Sequence, residues 1–476
     1  MKISSRSESF NSGVTDKLAV WTECRGVLCP RGALTIAVSR DAGKPVEAIN
    51  NPVTTRLAML LACALSLPGQ FLQPSPNGRY LVRSNGEPFL WIGDTAWYAG
   101  VKASKAEWTE YLEDRQRKGF TVVQISAGRT PPGWAGAMPF AAGGQPNDVY
   151  WDGILAKVRE ANRRGMVVML VGLGRPTNEA DIRHVSTPEY ARYIAQRFAG
   201  VEAILSPNFD GAYSPVFDTV AENLVAAGTK LPITQHPNTL KGQNELYVPK
   251  SYLTFSGLQS GHHNGRLEAA YAAAREWPLT LWAMKPVRPV INIEGMYDGR
   301  GSDEGGAWRG KDVRRIGWIS WLSGAMGYTY AAGETARKVP GTNGGVWGWN
   351  QDEAAFDFWR KAAAWPSAGS MTIMRDFFAG IEWWRLEPVH ELIVQEGTPD
   401  SQTRAVFAAS ADRALAVAYA PSGGRFKLDL TSFPASLQAE WFDPVTGRRT
   451  PAVLREWLAP PAGTGDIVLL IRQAPR

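Results

Sequence analysis

From Tyr80 to Ala332 short apolar runs alternate with longer stretches of helical period. The runs lie at 89–93, 120–125, 166–171, 201–205, 232–236, 253–256, 289–293 and 327–331. They are rich in β-branched residues and bounded by Gly or polar residues, which is how strands buried on both faces read. Tyr80–Gly93 begins with a hairpin turned at Asn85-Gly86 before its core strand. Ser104-Lys-Ala-Glu107 has capping-box spacing and predicts a helix to Lys118, ended by Gly119. Further helices are predicted over Asn147–Arg164, Glu189–Phe198, Pro215–Ala227, Leu267–Trp277 and Val313–Ser323. Gly119, Gly165 and Gly228 each sit between a helix and an apolar strand, the αβ junction of a parallel fold. Eight such units over about 260 residues have the size of a (β/α)8 barrel. A doubly wound sheet would need a phosphate-cradling Gly loop, and Gly172-Leu-Gly174 lacks the third Gly.

Past Leu386 the period changes to two, in AVFAAS, ALAVAYA, RFKLDL, LQAEWFD and DIVLLIR, with Gly- and Pro-rich turns between. With no helix among them, these predict a small antiparallel β-sandwich. The expected organisation is an extension at 1–53, a signal-like segment at 54–70, a barrel at 76–386 and a sandwich at 388–476. Residues 1–53 carry no period and read as disordered or untranslated. Leu57–Leu67 is an apolar run too short to span a bilayer but suited to a signal-peptide core. It implies a start upstream of the natural one and a secreted or periplasmic protein. A short buried helix is the other reading, and Cys63 offers only a poor lipidation context.

Composition narrows this picture slightly. The three Cys (Cys24, Cys29, Cys63) all precede the predicted barrel, which therefore has no disulfide or thiolate metal site. The net charge is +6, and no Lys/Arg run is dense enough for a nucleic-acid footprint. Nineteen Trp and fourteen Tyr suit both cores and sugar-stacking surfaces. No His-Glu-x-x-His, Gly-x-Ser-x-Gly or P-loop pattern is present; neither cofactor nor metal is expected.

One residue stands out from its strand. Glu294 ends the apolar run PVINIE, and a carboxylate is costly there unless paired or used. In a barrel, strand C-terminal ends carry the chemistry. Glu294 is accordingly the leading catalytic candidate, a structural Glu bonded to loop amides being the bland alternative.

GEPFLWIGDTAW, YLEDRQRKGFTVVQI, ITQHP, LQSGHHNG, PVINIEGMYDG and VRRIGWISWLSGAMGYTY, in this order, resemble the apiosidase-like catalytic domain. That family includes glycoside hydrolase family 140, acting on apiose in plant pectin side chains. The tail, ALAVAYAPSGG and AEWFDPVTGRR, resembles a small β-domain named for collagen binding. The resemblance covers roughly 77–472 and implies a (β/α)8 barrel and a retaining mechanism with two carboxylates. Its nucleophile falls on Glu294. Its acid/base is an Asp in a Gly-Gly-Asp context ending the fourth strand, for which Asp210 in AILSPNFDG is the nearest match. Ser206-Pro-Asn-Phe replaces the tight Gly pair, which leaves Asp218 as an alternative acid. It also leaves open a non-catalytic carbohydrate-binding relative that has lost the acid.

Other strand-end residues suit sugar recognition: Asp94 and Trp97, Gln124, His236, Gln259, His262 and Tyr297. Trp347 and Trp349, in GGVWGWN after the eighth strand, suit a stacking platform. For each a structural role is the competing reading. The expected partner is an oligo- or polysaccharide, with no nucleic acid and no stable membrane insertion. Nothing in the sequence addresses the oligomeric state.

Overall fold

The computed structural model describes residues 71–131, 133–238, 242–261, 263, 266–300, 310–333, 344–349 and 358–474. The expectations for residues 1–70 lie outside the described residues. Counted along the chain, the first four barrel strands are Trp91–Thr95, Val122–Ser126, Val167–Val171 and Ala203–Ser206. The sixth, seventh and eighth are Ser256–Gln259, Val290–Glu294 and Gly327–Ala332. They pair in parallel in the order four, three, two, one, eight, seven, six.

The fifth position departs from expectation. Residues 232–236 join their neighbours by single bonds rather than a ladder: Leu205 N–H donates to Pro232 O (2.9 Å), and Thr234 N–H to Leu205 O (2.9 Å). On the other side Thr254 N–H donates to Ile233 O (2.8 Å). Pro232 has no N–H to give, which weakens the rung there. These bonds close the curved sheet into a (β/α)8 barrel. Because residues 254–255 form a bend serving this segment, the sixth strand starts at Ser256 rather than 253.

The helices start and stop where side chains satisfy their ends. Ser104 Oγ accepts from Glu107 N–H and Glu107 Oε2 from Ser104 N–H, the capping box of Lys105–Arg117. Asn147 caps Asp148–Asn162 through Val149 N–H. Gly119, Gly165 and Gly228 follow their helices with positive φ, as the junction requires. Leu267–Ala283 runs on through Pro278, where an end at Trp277 was expected. Pro278 and Leu281 are both buried, and that packing outweighs the one hydrogen bond a Pro removes. No helix of the described residues is long and apolar enough to cross a membrane.

The C-terminal strands form an antiparallel six-stranded sheet and a second, two-stranded one. Leu386–Pro388, Val406–Ser410, Leu415–Ala420, Ile467–Gln473, Leu437–Phe442 and Arg449–Ala452 lie side by side in that order. Ile393–Gln395 pairs with Phe426–Leu428. Period two assigns each strand's residues to two cores. Val406, Ala408, Val417, Tyr419, Val468 and Leu470 join the barrel's core. Phe407, Ala409, Ala416, Ala418, Leu469 and Ile471 form a separate core inside the sandwich.

The barrel side of this contact is the helix Gly310–Leu322. Trp318 stacks on Tyr419 with centroids 5.8 Å apart. Beside it Arg314 makes a two-pronged pair with Asp466 (Nε–Oδ2 3.0 Å, Nη2–Oδ1 2.7 Å), and Tyr419 OH donates to the same carboxylate (2.8 Å). A buried pair with a third donor is costly to break from one side, because a bare charge is left behind.

Candidate active site

Four strand ends converge on one cluster. Glu294 closes the seventh strand and is 3% exposed. His236, at the end of the irregular fifth segment, puts Nε2 3.0 Å from Glu294 Oε2. The other side of the same residue holds Asp210, whose N–H donates to His236 O (3.0 Å) and also approaches Nδ1 (3.4 Å). Tyr297 supplies a donor: its OH accepts from Trp97 Nε1 (3.0 Å) and itself hydrogen-bonds Glu294. Burial, reinforced by the Glu294 charge, raises the Tyr297 pKa well above its usual value, so this phenol remains a donor.

Asp210 is exposed at the mouth in a left-handed backbone conformation, φ 46°, which Asp tolerates better than most side chains. The loop that lacks the tight Gly pair is pinned instead by its own polar groups. Asn208 Oδ1 accepts from Phe209 N–H (2.7 Å), and its Nδ2 donates to Tyr247 OH (3.1 Å). Arg175 donates to Phe209 O. Phe209 stacks on His236 at 5.9 Å and meets Trp97 edge-on at 4.8 Å. Although reachable by solvent, the Asp210 carboxyl sits among crowded walls. That dehydration, with the Glu294 charge, raises its pKa against the pull of His236, Arg300 and Arg175. The two carboxylates are thus electrostatically coupled across one histidine.

Against this geometry stands the comparison with known families. The family model for the apiosidase-like catalytic domain matches residues 75–385. The chain belongs to this apiosidase-like family. It is a glycosidase by that membership. No curated protein matches the chain. Among solved structures, one titled glycoside hydrolase is 21% identical, with TM-score 0.75 over 86% of this chain and 98% of the other. A glycoside hydrolase family 5 protein from Bacteroides vulgatus is 20% identical, with TM-score 0.73 over 85% and 94%. Both share the fold of this apiosidase-like protein.

The other expected sugar contacts divide. Asp94 faces the helix layer: Oδ2 accepts from Tyr111 OH and Arg115 Nε, both at 2.6 Å, and its side chain is fully buried. This corrects the expectation of a sugar contact, because strand alternation turns Thr95 inward and Asp94 out. Asp94→Ala should therefore lower the melting temperature, costing about 1.5–3 kcal/mol for the lost charged hydrogen bonds, because Arg115 keeps Asp114 at 2.9 Å. It should leave KM unchanged; a raised KM at unchanged stability would contradict this role.

Gln124 also serves the frame. Its Nε2 donates to Thr95 Oγ1 (3.0 Å) and across the barrel to Ile293 O (2.6 Å), bracing the residue before Glu294. Gln259, 1% exposed, is in register with Glu294 at a bulge. Trp97 is a wall rather than an open platform, at 5% exposure. Trp349 is corrected too: it is 1% exposed, stacked on Trp359 at 4.5 Å and abutting Tyr111 at 5.4 Å, so no ring face is open. His262 and the side chain of Trp347 lie outside the described residues.

Asp218, the alternative acid, is committed elsewhere. It accepts from Tyr213 OH (2.5 Å), Tyr252 OH (2.5 Å) and Lys250 Nζ (2.6 Å). Burial works to raise its pKa, but Lys250, Tyr213 and Tyr252 together hold it below the usual carboxylate range. A general acid needs the opposite.

Sequence reasoning passed over Arg175, whose signal was its place just beyond the third strand's C-terminal end. There Gly172-Leu-Gly174 had been weighed only as a phosphate loop. It also passed over Arg300, three residues past Tyr297 and within electrostatic reach of Asp210.

Proposed function

We propose that this protein is a retaining glycoside hydrolase for apiosides of the kind found on plant pectin side chains, with Glu294 as nucleophile and Asp210 as acid/base. The observation that carries the reading is His236. One residue places its ring Nε2 3.0 Å from the Glu294 carboxylate and fixes the backbone of Asp210 with its carbonyl.

In the first step Glu294 attacks the anomeric carbon while the Asp210 carboxyl protonates the departing oxygen. The C–O bond to the aglycone breaks and a glycosyl ester forms on Glu294. In the second step the Asp210 carboxylate takes a proton from water, which displaces Glu294 and regenerates both groups. Tyr297 hydrogen-bonds the Glu294 carboxylate and His236 Nε2 stands 3.0 Å from it, which orients the attacking oxygen. Asp210, with its raised pKa, is suited to carry a proton near neutrality. The apiose preference rests on the family resemblance, and the pinned 206–211 loop favours a retained acid over a purely binding relative.

The acid role has a pH signature. Asp210 acts protonated, so kcat/KM falls as pH rises through its raised pKa. In Asp210→Asn that alkaline limb should vanish. Turnover of a natural apioside should drop by about 10²–10⁴-fold, while an aryl glycoside with a good leaving group is cleaved to the glycosyl enzyme at nearly the normal rate. Equal losses on both substrates, or an unchanged alkaline limb, would remove Asp210 from the acid role.

A further inference from the structure

A cavity of about 590 Å³ opens at the seam between helix Leu267–Ala283 and the first part of the C-terminal domain. Arg275 lines it, 7% exposed, without a carboxylate at ion-pair distance among the described residues. Its guanidinium bonds only backbone carbonyls: Nη1 and Nη2 donate to Ser401 O (3.3 and 3.2 Å), and Nη2 to Arg404 O (2.8 Å). Three contacts leave two of an arginine's five N–H donors unused, and Nε is buried without a partner. Arg404, exposed and of the same charge, lines the same cavity. Burial together with the Arg404 charge lowers the Arg275 pKa to about 10.

Two like charges beside one cavity, one of them buried, are unfavourable unless an anion completes them. The local acids do little to supply it. Asp400, which acts on Arg275 only through its charge, has its Oδ1 committed to its own turn, accepting from Gln402 N–H (2.9 Å), Thr403 N–H (2.9 Å) and Thr403 Oγ1 (2.8 Å). Glu276 is exposed on the rim. The remaining walls are largely apolar, from Leu279 on the helix to Ile393 and Val394 on the facing strand; Val394 is 50% exposed. His390, whose ring nitrogen meets Leu322 O at 3.1 Å, closes the deep side.

We infer that this cavity binds a small organic carboxylate with an apolar body. The carboxylate would lie between Arg275 and Arg404, and the body against Leu279, Ile393 and Val394. The exposed Arg404 guanidinium can meet a carboxylate in two-pronged fashion, while Arg275, whose Nη edge is turned to Ser401 O and Arg404 O, contributes its charge; the volume far exceeds that of an inorganic ion. The site lies outside the Glu294 cluster and is independent of what that cluster cleaves.

The test is calorimetric titration of the full chain with benzoate, and separately with inorganic phosphate at matched ionic strength. Benzoate should bind saturably and raise the melting temperature in step with its occupancy. Phosphate should bind at least about tenfold more weakly, for want of the apolar contact. Arg404→Gln should weaken benzoate by about tenfold or more. That change relieves the repulsion on Arg275, so the unliganded melting temperature should not fall and glycoside turnover should be unchanged. Arg275→Lys, which keeps the charge but loses the planar bonds to Ser401 O and Arg404 O that hold Arg404 beside the cavity, should also weaken binding. No saturable benzoate binding, phosphate binding as tightly as benzoate, or undiminished binding by Arg404→Gln would each overturn the inference.

Discussion

Glu294→Gln should reduce turnover on the order of 10⁴-fold or more, since no covalent glycosyl intermediate can form without the carboxylate. The fold should survive. Glutamine keeps the volume of the side chain, and its amide oxygen still accepts from Tyr297. The negative oxygen that His236 Nε2 now faces at 3.0 Å is lost. The melting temperature should therefore fall modestly while kcat/KM collapses. Near-normal turnover by a folded Glu294→Gln protein would contradict the assignment. A variant that unfolds would be decided by Glu294→Asp, which retains charge but withdraws it from the anomeric carbon.

Removing residues from Leu386 onward should leave the barrel unable to hold its fold. The sheet gives the barrel core Val406, Val417, Tyr419, Phe442, Val468 and Leu470, all fully or nearly fully buried. Each such side chain contributes about 1.5–3 kcal/mol by burial. Their loss, with Arg314 stranded by the missing Asp466, exceeds the roughly 5–15 kcal/mol of net stability a folded domain has. The expected result is an aggregating or molten barrel by circular dichroism. A truncated barrel melting with the full chain would show that the sandwich is an independent module. The single change Asp466→Ala isolates the ionic part, with an expected cost of about 3–5 kcal/mol.

The sequence carried some of this directly. Glu294 was visible because it is one polar residue closing an otherwise apolar strand, and such a defect is informative. The αβ junctions at Gly119, Gly165 and Gly228 were visible because helix capping and left-handed glycine are local chemistry. The fifth strand was harder, since whether Pro232 breaks a ladder depends on which neighbour faces it. Direction around a strand was also hidden. In a barrel both faces are buried, so hydrophobic pattern alone does not tell that Asp94 turns toward Arg115 and Thr95 inward. Trp349 illustrates the same loss: stacking on a sugar and stacking on Trp359 need the same residue. The two-faced burial of the C-terminal sheet was half legible, as alternation required one partner face but gave no sign of the second.

The retaining mechanism requires Glu294 to form a glycosyl ester. The direct measurement is the mass of the protein after incubation with a 2-deoxy-2-fluoro apioside bearing a good leaving group, followed by peptide mapping. The expected result is a gain of one fluoroglycosyl unit, on the peptide containing Glu294 and on that side chain. Label on Asp210 or another carboxylate, or turnover without label and with inverted anomeric configuration in the product, would contradict it.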